Sequence, residues 1–131
     1  MTRLKDMVAI LICDDVQLSI RFYEDILGFT VVDRMDAVGR TGWASIRKDD
    51  VQLMLASPDY MPIPEKAEGR LSQAMFYFYP DDVEQLHAEI SNKGMNPSKI
   101  ETRLYGMKEF ELIDPDGHVL VFGQEVEAQQ M

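Results

Sequence analysis

The sequence predicts an α+β fold made of two tandem βαβββ units, and three observations lead there. First, the second half repeats the first. Asp15-Val16 and Asp82-Val83 each open an amphipathic helix after an apolar run, and Lys48 to Leu53 aligns with Pro115 to Leu120, both at a spacing of 67 residues. A tandem unit too small to bury its own apolar face must pack against further structure, which makes such self-similarity the first clue to architecture. Second, each half reads as strand, helix and three strands. Third, residues 57–70 hold Pro58, Pro62, Pro64 and Gly69 without periodicity, which marks a linker between units spanning 6–56 and 72–123. The 131 residues are expected to make one domain, 1–131, with 57–70 as a candidate lip over a pocket.

In the first unit, Met7 to Cys13 is an apolar run of strand length. Asp14 or Asp15 then caps a helix carrying Val16, Ile20, Tyr23 and Leu27 at helical spacing, closed by Gly28. Phe29 to Met35, Trp43 to Arg47 and Val51 to Ala56 read as strands, the last two joined by a tight turn at Lys48-Asp49-Asp50. In the second unit, Gln73 to Tyr79 is a strand, Pro80-Asp81-Asp82 leads into a helix with Val83, Leu86 and Ile90, and Lys93-Gly94 ends it. Pro97 to Arg103, Lys108 to Ile113 and Val119 to Gly123 supply three more strands, with Asp114-Pro115-Asp116-Gly117 as a turn. Residues 124–131 are expected to be a frayed acidic tail.

Composition narrows the function. With 46% hydrophobic and 27% charged residues the chain is of ordinary globular type, so disorder is not expected. A net charge of −10 argues against nucleic acid, whose binding rests on neutralising phosphates with Lys and Arg, and favours a neutral or cationic ligand. No apolar stretch nears the length of a membrane span, and the N-terminus has too short an apolar run for a secretory signal, so a cytoplasmic protein without membrane partners is expected. The single cysteine, Cys13, lies in an apolar strand and reads as a buried, inert thiol.

The phrases Phe22-Tyr23-Glu24-Asp25-Ile26-Leu27-Gly28, Tyr105-Gly106 and Asp114-Pro115-Asp116-Gly117-His118, in that order around the repeat, resemble the vicinal oxygen chelate superfamily. It includes glyoxalase I, extradiol dioxygenases, fosfomycin-resistance transferases and bleomycin-resistance proteins, and the resemblance runs from Asp6 to Gly123. It implies a curled eight-stranded mixed sheet with helices on its convex face, a ligand site on the concave face, and a homodimer. In the family's metalloenzymes, His or Glu ligands come from the first and fourth strands of each unit. Carried over, those positions are Val8, Met54, Met75 and Val121, none a credible ligand for a hard or borderline divalent ion. A register shift at Pro80 would substitute Gln73 or Ala74, no better as ligands. His87, within a helix, and His118, in a turn expected to be solvated, do not supply a zinc site. The expectation is therefore no metal and no cofactor.

The family's inward parity, with strand alternation, places Glu109, Glu111, Met75, Tyr77 and Tyr79 on the cavity side, with Gln52 and Met54 in the first unit. Phe76, Phe78, Phe110, Leu112, Leu120 and Phe122 go to the helix side. Trp43 is ambiguous: the repeat matches it to Phe110, a convex position, whereas alternation with Ser45 and Arg47 turns it inward. Glu109 and Glu111 admit three readings: solvated rim charges, a cation-recognising pair, or a general base with raised pKa. Two functions follow. One is a metal-free small-molecule-binding protein that sequesters a neutral or cationic aromatic or amphipathic ligand through Trp43, Gln52, Met54, Met75, Tyr77, Tyr79, Glu109 and Glu111. The other is a glyoxalase-like lyase, isomerase or dioxygenase with a non-standard metal set or a glutamate base. The missing ligands favour binding over catalysis.

Overall fold

The computed structural model describes residues 2–37, 40–61 and 74–126. The remainder of the expected linker, Gln73, and residues 127–131 of the expected tail lie outside the described residues. The chain divides into two compact units, Met1–Glu68 and Gly69–Met131. Each contains one helix and a four-stranded mixed sheet, so the eight strands, two helices and βαβββ order expected from the sequence are present.

In the first unit the order is β1 (Ala9–Ile12), α1 (Val16–Asp25), β2 (Thr30–Ala37), β3 (Arg40–Lys48) and β4 (Val51–Ala56). The sheet runs β1-β4-β3-β2, with β1 parallel to β4 and the other pairs antiparallel. Asp15, rather than Asp14, caps α1: its carboxylate accepts the Leu18 N–H at 3.1 Å. Gly28 leaves the helix at φ 79°, and its N–H reaches the Glu24 carbonyl at 3.1 Å. The helix covers one sheet face through Val16, Ile20 and Tyr23, over Ala44, Ile46, Leu53 and Leu55, all buried. Cys13 is fully buried, its Sγ donating to the Leu11 carbonyl at 3.3 Å.

In the second unit β5 (Met75–Phe78) is followed by α2 (Val83–Asn92), β6 (Glu101–Thr102), β7 (Met107–Ile113) and β8 (Val119–Glu125), and the sheet order is β5-β8-β7-β6. Asp82 caps α2 by accepting the Gln85 N–H at 3.0 Å. Under the helix, Phe78, Phe122 and Phe110 stack with centroids 5.1 Å apart at each step, and His87 meets Phe110 edge-on at 4.9 Å. His87 Nε2 also lies 2.9 Å from the Ser98 carbonyl, so this histidine is a packing residue. His118 is half-buried, with its ring edge-on to Phe76 and part of it left to solvent.

Two expected boundaries are corrected. The strand read from Pro97 to Arg103 keeps ladder pairing only at Glu101–Thr102. Pro97 has no N–H to give, and at Ser98 the side-chain Oγ replaces a ladder acceptor, taking the Glu111 N–H at 2.7 Å. The tail does not begin at Gln124, because β8 continues to Glu125. The ladder with β7 carries it there, pairing Lys108 with Gln124 and Met107 with Glu125, and the Gln124 amide adds a tie of its own: Oε1 accepts the Val83 N–H at 2.8 Å and Nε2 donates to the Asp81 carbonyl at 2.6 Å. One side chain thus ties β8 to the start of α2.

The hairpins settle Trp43. Asp49 and Asp50 alone turn the first, between Lys48 and Val51, with Asp49 at φ 52°. In the second, the Asp114 N–H still bonds the His118 carbonyl at 3.1 Å, so residues 115–117 make the turn, with Gly117 at φ 88°. The Asp114 carboxylate fixes that turn by accepting the N–H groups of Asp116 and His118, both at 2.9 Å. The second turn is therefore one residue longer. β4 matches β8 at the 67-residue spacing, but Ile46 pairs with Leu53 as Leu112 pairs with Leu120, a spacing of 66 for β3 and β7. Trp43 thus corresponds to Glu109, not Phe110, and lies on the sheet face opposite α1, with Ser45 and Met54.

Candidate functional site

Register gathers the expected site residues within each unit. In the first, Trp43 pairs with Ala56, Ser45 with Met54 and Arg47 with Gln52, all on the face that α1 leaves open. Gln52 is tied there, its Nε2 donating to Ser45 Oγ at 2.9 Å and its Oε1 accepting from Arg47 at 2.9 Å.

In the second unit, Met75 pairs with Val119, Tyr77 with Val121, Glu111 with Val121 and Glu109 with Gly123, on the face opposite α2. Tyr79 follows β5, 77% exposed, its ring 5.0 Å from that of Tyr77. Met75 is also exposed.

Glu109 is the centre of this face. Its side chain is only 5% exposed, yet every part of the carboxylate is used. Tyr77 donates its hydroxyl to Oε2 at 2.6 Å, Tyr105 donates to the same oxygen at 2.8 Å, and Arg103 Nε donates to Oε1 at 3.1 Å. Arg103 extends its other arm to Glu101 at 3.0 Å. A buried carboxylate is tolerable only with such partners. Burial pushes the Glu109 carboxyl up, but Tyr77, Tyr105 and Arg103 outweigh it and hold the group below the ordinary carboxylate range. Burial, then the Glu109 hydrogen bond and charge, raise the Tyr77 phenol, and the bond to Glu109 raises Tyr105 and Arg103 as well. This runs against a general base poised near neutrality, which needs a raised carboxyl.

Local structure explains how the partners arrive. Arg103 to Gly106 is a tight turn, with the Gly106 N–H on the Arg103 carbonyl at 3.0 Å and Gly106 at φ 87°, a conformation that favours glycine. It swings Arg103 and Tyr105 back over β7. Tyr77 reaches Glu109 only because Gly123 lies between them: a β-carbon there would stand 1.9 Å from the Tyr77 hydroxyl. Arg103, Tyr105 and Gly123 are absent from the residues expected from the sequence. The Tyr105-Gly106 pair and a glycine within an apolar strand were the available signals.

Glu111 differs from Glu109. It is half-exposed, its backbone pairs with Ser98, and among the described residues nothing donates to its carboxylate. The two glutamates are therefore not an equivalent pair.

A family model described as Glyoxalase/Bleomycin resistance protein/Dioxygenase superfamily matches residues 6–122. Among solved structures, the chain is similar to a lactoylglutathione lyase from Agrobacterium tumefaciens, with TM-score 0.73 and 18% identity over 94% of this chain and 96% of that one. It is similar to the bleomycin-binding protein of bleomycin-producing Streptomyces verticillus, complexed with copper(II)-bleomycin, with TM-score 0.70 and 20% identity over 97% and 100%. A glyoxalase/bleomycin resistance protein/dioxygenase from Nocardioides gives TM-score 0.75 and 15% identity over 98% and 88%. At these identities the likeness is one of fold. No curated protein matches the chain.

The divalent ion that this fold family implies does not fit the residues present. Val8, Met54, Met75 and Val121 offer two side chains without a donor and two thioethers, which suit soft ions. Among the described residues no three His, Cys, Asp or Glu side chains gather as a metal-holding group. Nor is any described helix long and apolar enough to cross a membrane.

Proposed function

Since the chain belongs to the Glyoxalase/Bleomycin resistance protein/Dioxygenase superfamily, we propose that it is a metal-free small-molecule-binding protein. Its ligand is a planar cationic or amphipathic compound held on the open face of the second unit. The observation that carries this reading is the exposed Tyr77–Tyr79 aromatic pair and Met75 on one sheet face with Glu111, whose carboxylate has no donor among the described residues. Aromatic faces and a thioether suit a flat ligand, and an unneutralised carboxylate suits a positive one. Glu109 holds Tyr77 and Tyr105 in place rather than meeting the cation itself, because Arg103 already neutralises it. The Trp43, Gln52 and Met54 face of the first unit is the second candidate surface. A homodimer belongs to the same reading, and a monomer in sedimentation at micromolar protein counts against a site shared between chains.

Calorimetric titration with two probes of nearly the same shape tests this: N-methylacridinium, a cation, and acridine, neutral at pH 7.5. The cation is expected to bind more tightly. Glu111→Gln should weaken it about fivefold, the equivalent of about 1 kcal/mol, and leave acridine unchanged. Tyr77→Ala should weaken both. Equal affinities for the two probes, or indifference of both to Tyr77→Ala, would refute the reading.

A further inference from the structure

We propose that the open face of the second unit selects ligands by their N–H groups, because the hydroxyls of Tyr77 and Tyr105 offer it hydrogen-bond acceptors and no donor. This rests on the reading of that face as a ligand site, and it names the chemical class: a planar amine, amidine or similar donor-bearing cation. Both hydroxyls contact Glu109 Oε2, at 2.6 and 2.8 Å. An ionised carboxylate has no proton to give, so each tyrosine must spend its single O–H on that oxygen. Glu109 is ionised near neutrality, being held by Arg103 at 3.1 Å and below the ordinary carboxylate range.

What the tyrosines have left is lone pairs. Tyr77, 37% exposed, keeps its acceptor capacity for the face. Glu111, next on the same face, is likewise acceptor-only when ionised. A ligand bringing only acceptors would leave these oxygens unpaired on binding, which costs more than a missing attraction. A ligand bringing N–H groups satisfies them. Neither tyrosine can turn to suit an acceptor without breaking a charge-assisted bond to Glu109.

The test adds 9-aminoacridine, a planar cation with N–H donors, to N-methylacridinium, a cation without any. With the full chain at pH 7.5, 9-aminoacridine is expected to bind on the order of tenfold more tightly. Glu109→Gln should then invert the polarity. Arg103 Nε keeps the amide oxygen at the Oε1 position, so the amide nitrogen faces both tyrosines, donates to them, and turns their O–H groups outward. The tenfold preference should disappear and neutral acridine, an acceptor, should gain affinity. A merely structural role for Glu109 would weaken all three probes alike, and that result overturns the proposal. Should Glu109→Gln fail to fold, Tyr77→Phe removes the principal acceptor and must lower the preference at least severalfold, an unchanged ratio being fatal. Equal binding of the two cations to the natural chain sinks this proposal while leaving the binding reading intact. Binding of none of the three sinks both.

Discussion

Gly123→Ala tests how the site is assembled. Gly123 has no left-handed backbone to protect, since among the described residues the positive-φ glycines are Gly28, Gly94, Gly106 and Gly117. Its role is space. An added β-carbon would lie 1.9 Å from Tyr77 Oη, 2.6 Å from Cζ and 2.9 Å from Cε1, and ordinary contact begins at 3.4 Å. The Tyr77 hydroxyl must therefore retreat by about 1.5 Å, from the same ideal contact distances. A 2.6 Å bond to Glu109 cannot survive that. Losing a hydrogen bond to a charged group costs roughly 1.5–3 kcal/mol. Replacing a strand glycine by alanine returns roughly 0.5–1 kcal/mol through the unfolded chain. The expected net cost is about 1–2 kcal/mol by urea denaturation. In a Tyr77→Ala background there is no ring to strike, so the same change should stabilise by about 0.5–1 kcal/mol. The four proteins form a double-mutant cycle with an expected coupling of about 2 kcal/mol. A coupling within about 0.5 kcal/mol of zero would show that Gly123 and Tyr77 do not share that space.

Three further outcomes are expected. Glu109 has a depressed folded pKa, so its contribution is present above the ordinary carboxylate value and is lost as pH falls through the folded one; the stability gap between the natural chain and Glu109→Gln should be widest near pH 7 and shrink below about pH 4, and a pH-independent gap would contradict this. Asp82→Ala removes the cap on α2 and should cost about 1 kcal/mol in the same denaturation assay, whereas Asp82→Asn should cost far less. Zn²⁺, Ni²⁺, Mn²⁺ and Fe²⁺ should leave the melting temperature unchanged; a saturable rise with stoichiometric metal by elemental analysis would mean that the positions assigned to Val8, Met54, Met75 and Val121 are not the family's ligand positions.

The fold was legible because its signals are local or periodic. Asp15 and Asp82 before apolar helical runs, Gly28 and Gly94 after them, and the Asp114-Pro115-Asp116-Gly117 turn each act within a few residues, and the structure uses every one. Alternation likewise sorted Glu109 and Glu111 from Phe110 and Leu112, because one face had to be apolar. What sequence could not supply was distance across the chain. Arg103 and Tyr105 reach Glu109 through a turn whose direction depends on Gly106, and Tyr77 reaches it across two strands over Gly123. The idea of Glu109 with a raised pKa failed for the same reason: burial was foreseeable, but the three donors that reverse its effect were not.

The longer second hairpin also shows how a duplicated unit acquires two chemistries. In both units the helix side must stay apolar, and it does, with Ala44 and Ile46 at the places of Phe110 and Leu112. That constraint fixes each strand by its buried partners, not by its count from the turn. One extra residue in the turn is then absorbed as a shift from 67 to 66 in β3 and β7, and no core residue is moved to the wrong face. The open faces carry no such constraint. There Trp43, Ser45 and Arg47 occupy the positions of Glu109, Glu111 and Ile113, so the indole and the buried carboxylate are structural counterparts. Divergence of the open face at constant core is what allows the second unit to carry a buried carboxylate capped by tyrosines while the first carries the Trp43 indole beside the Arg47 guanidinium.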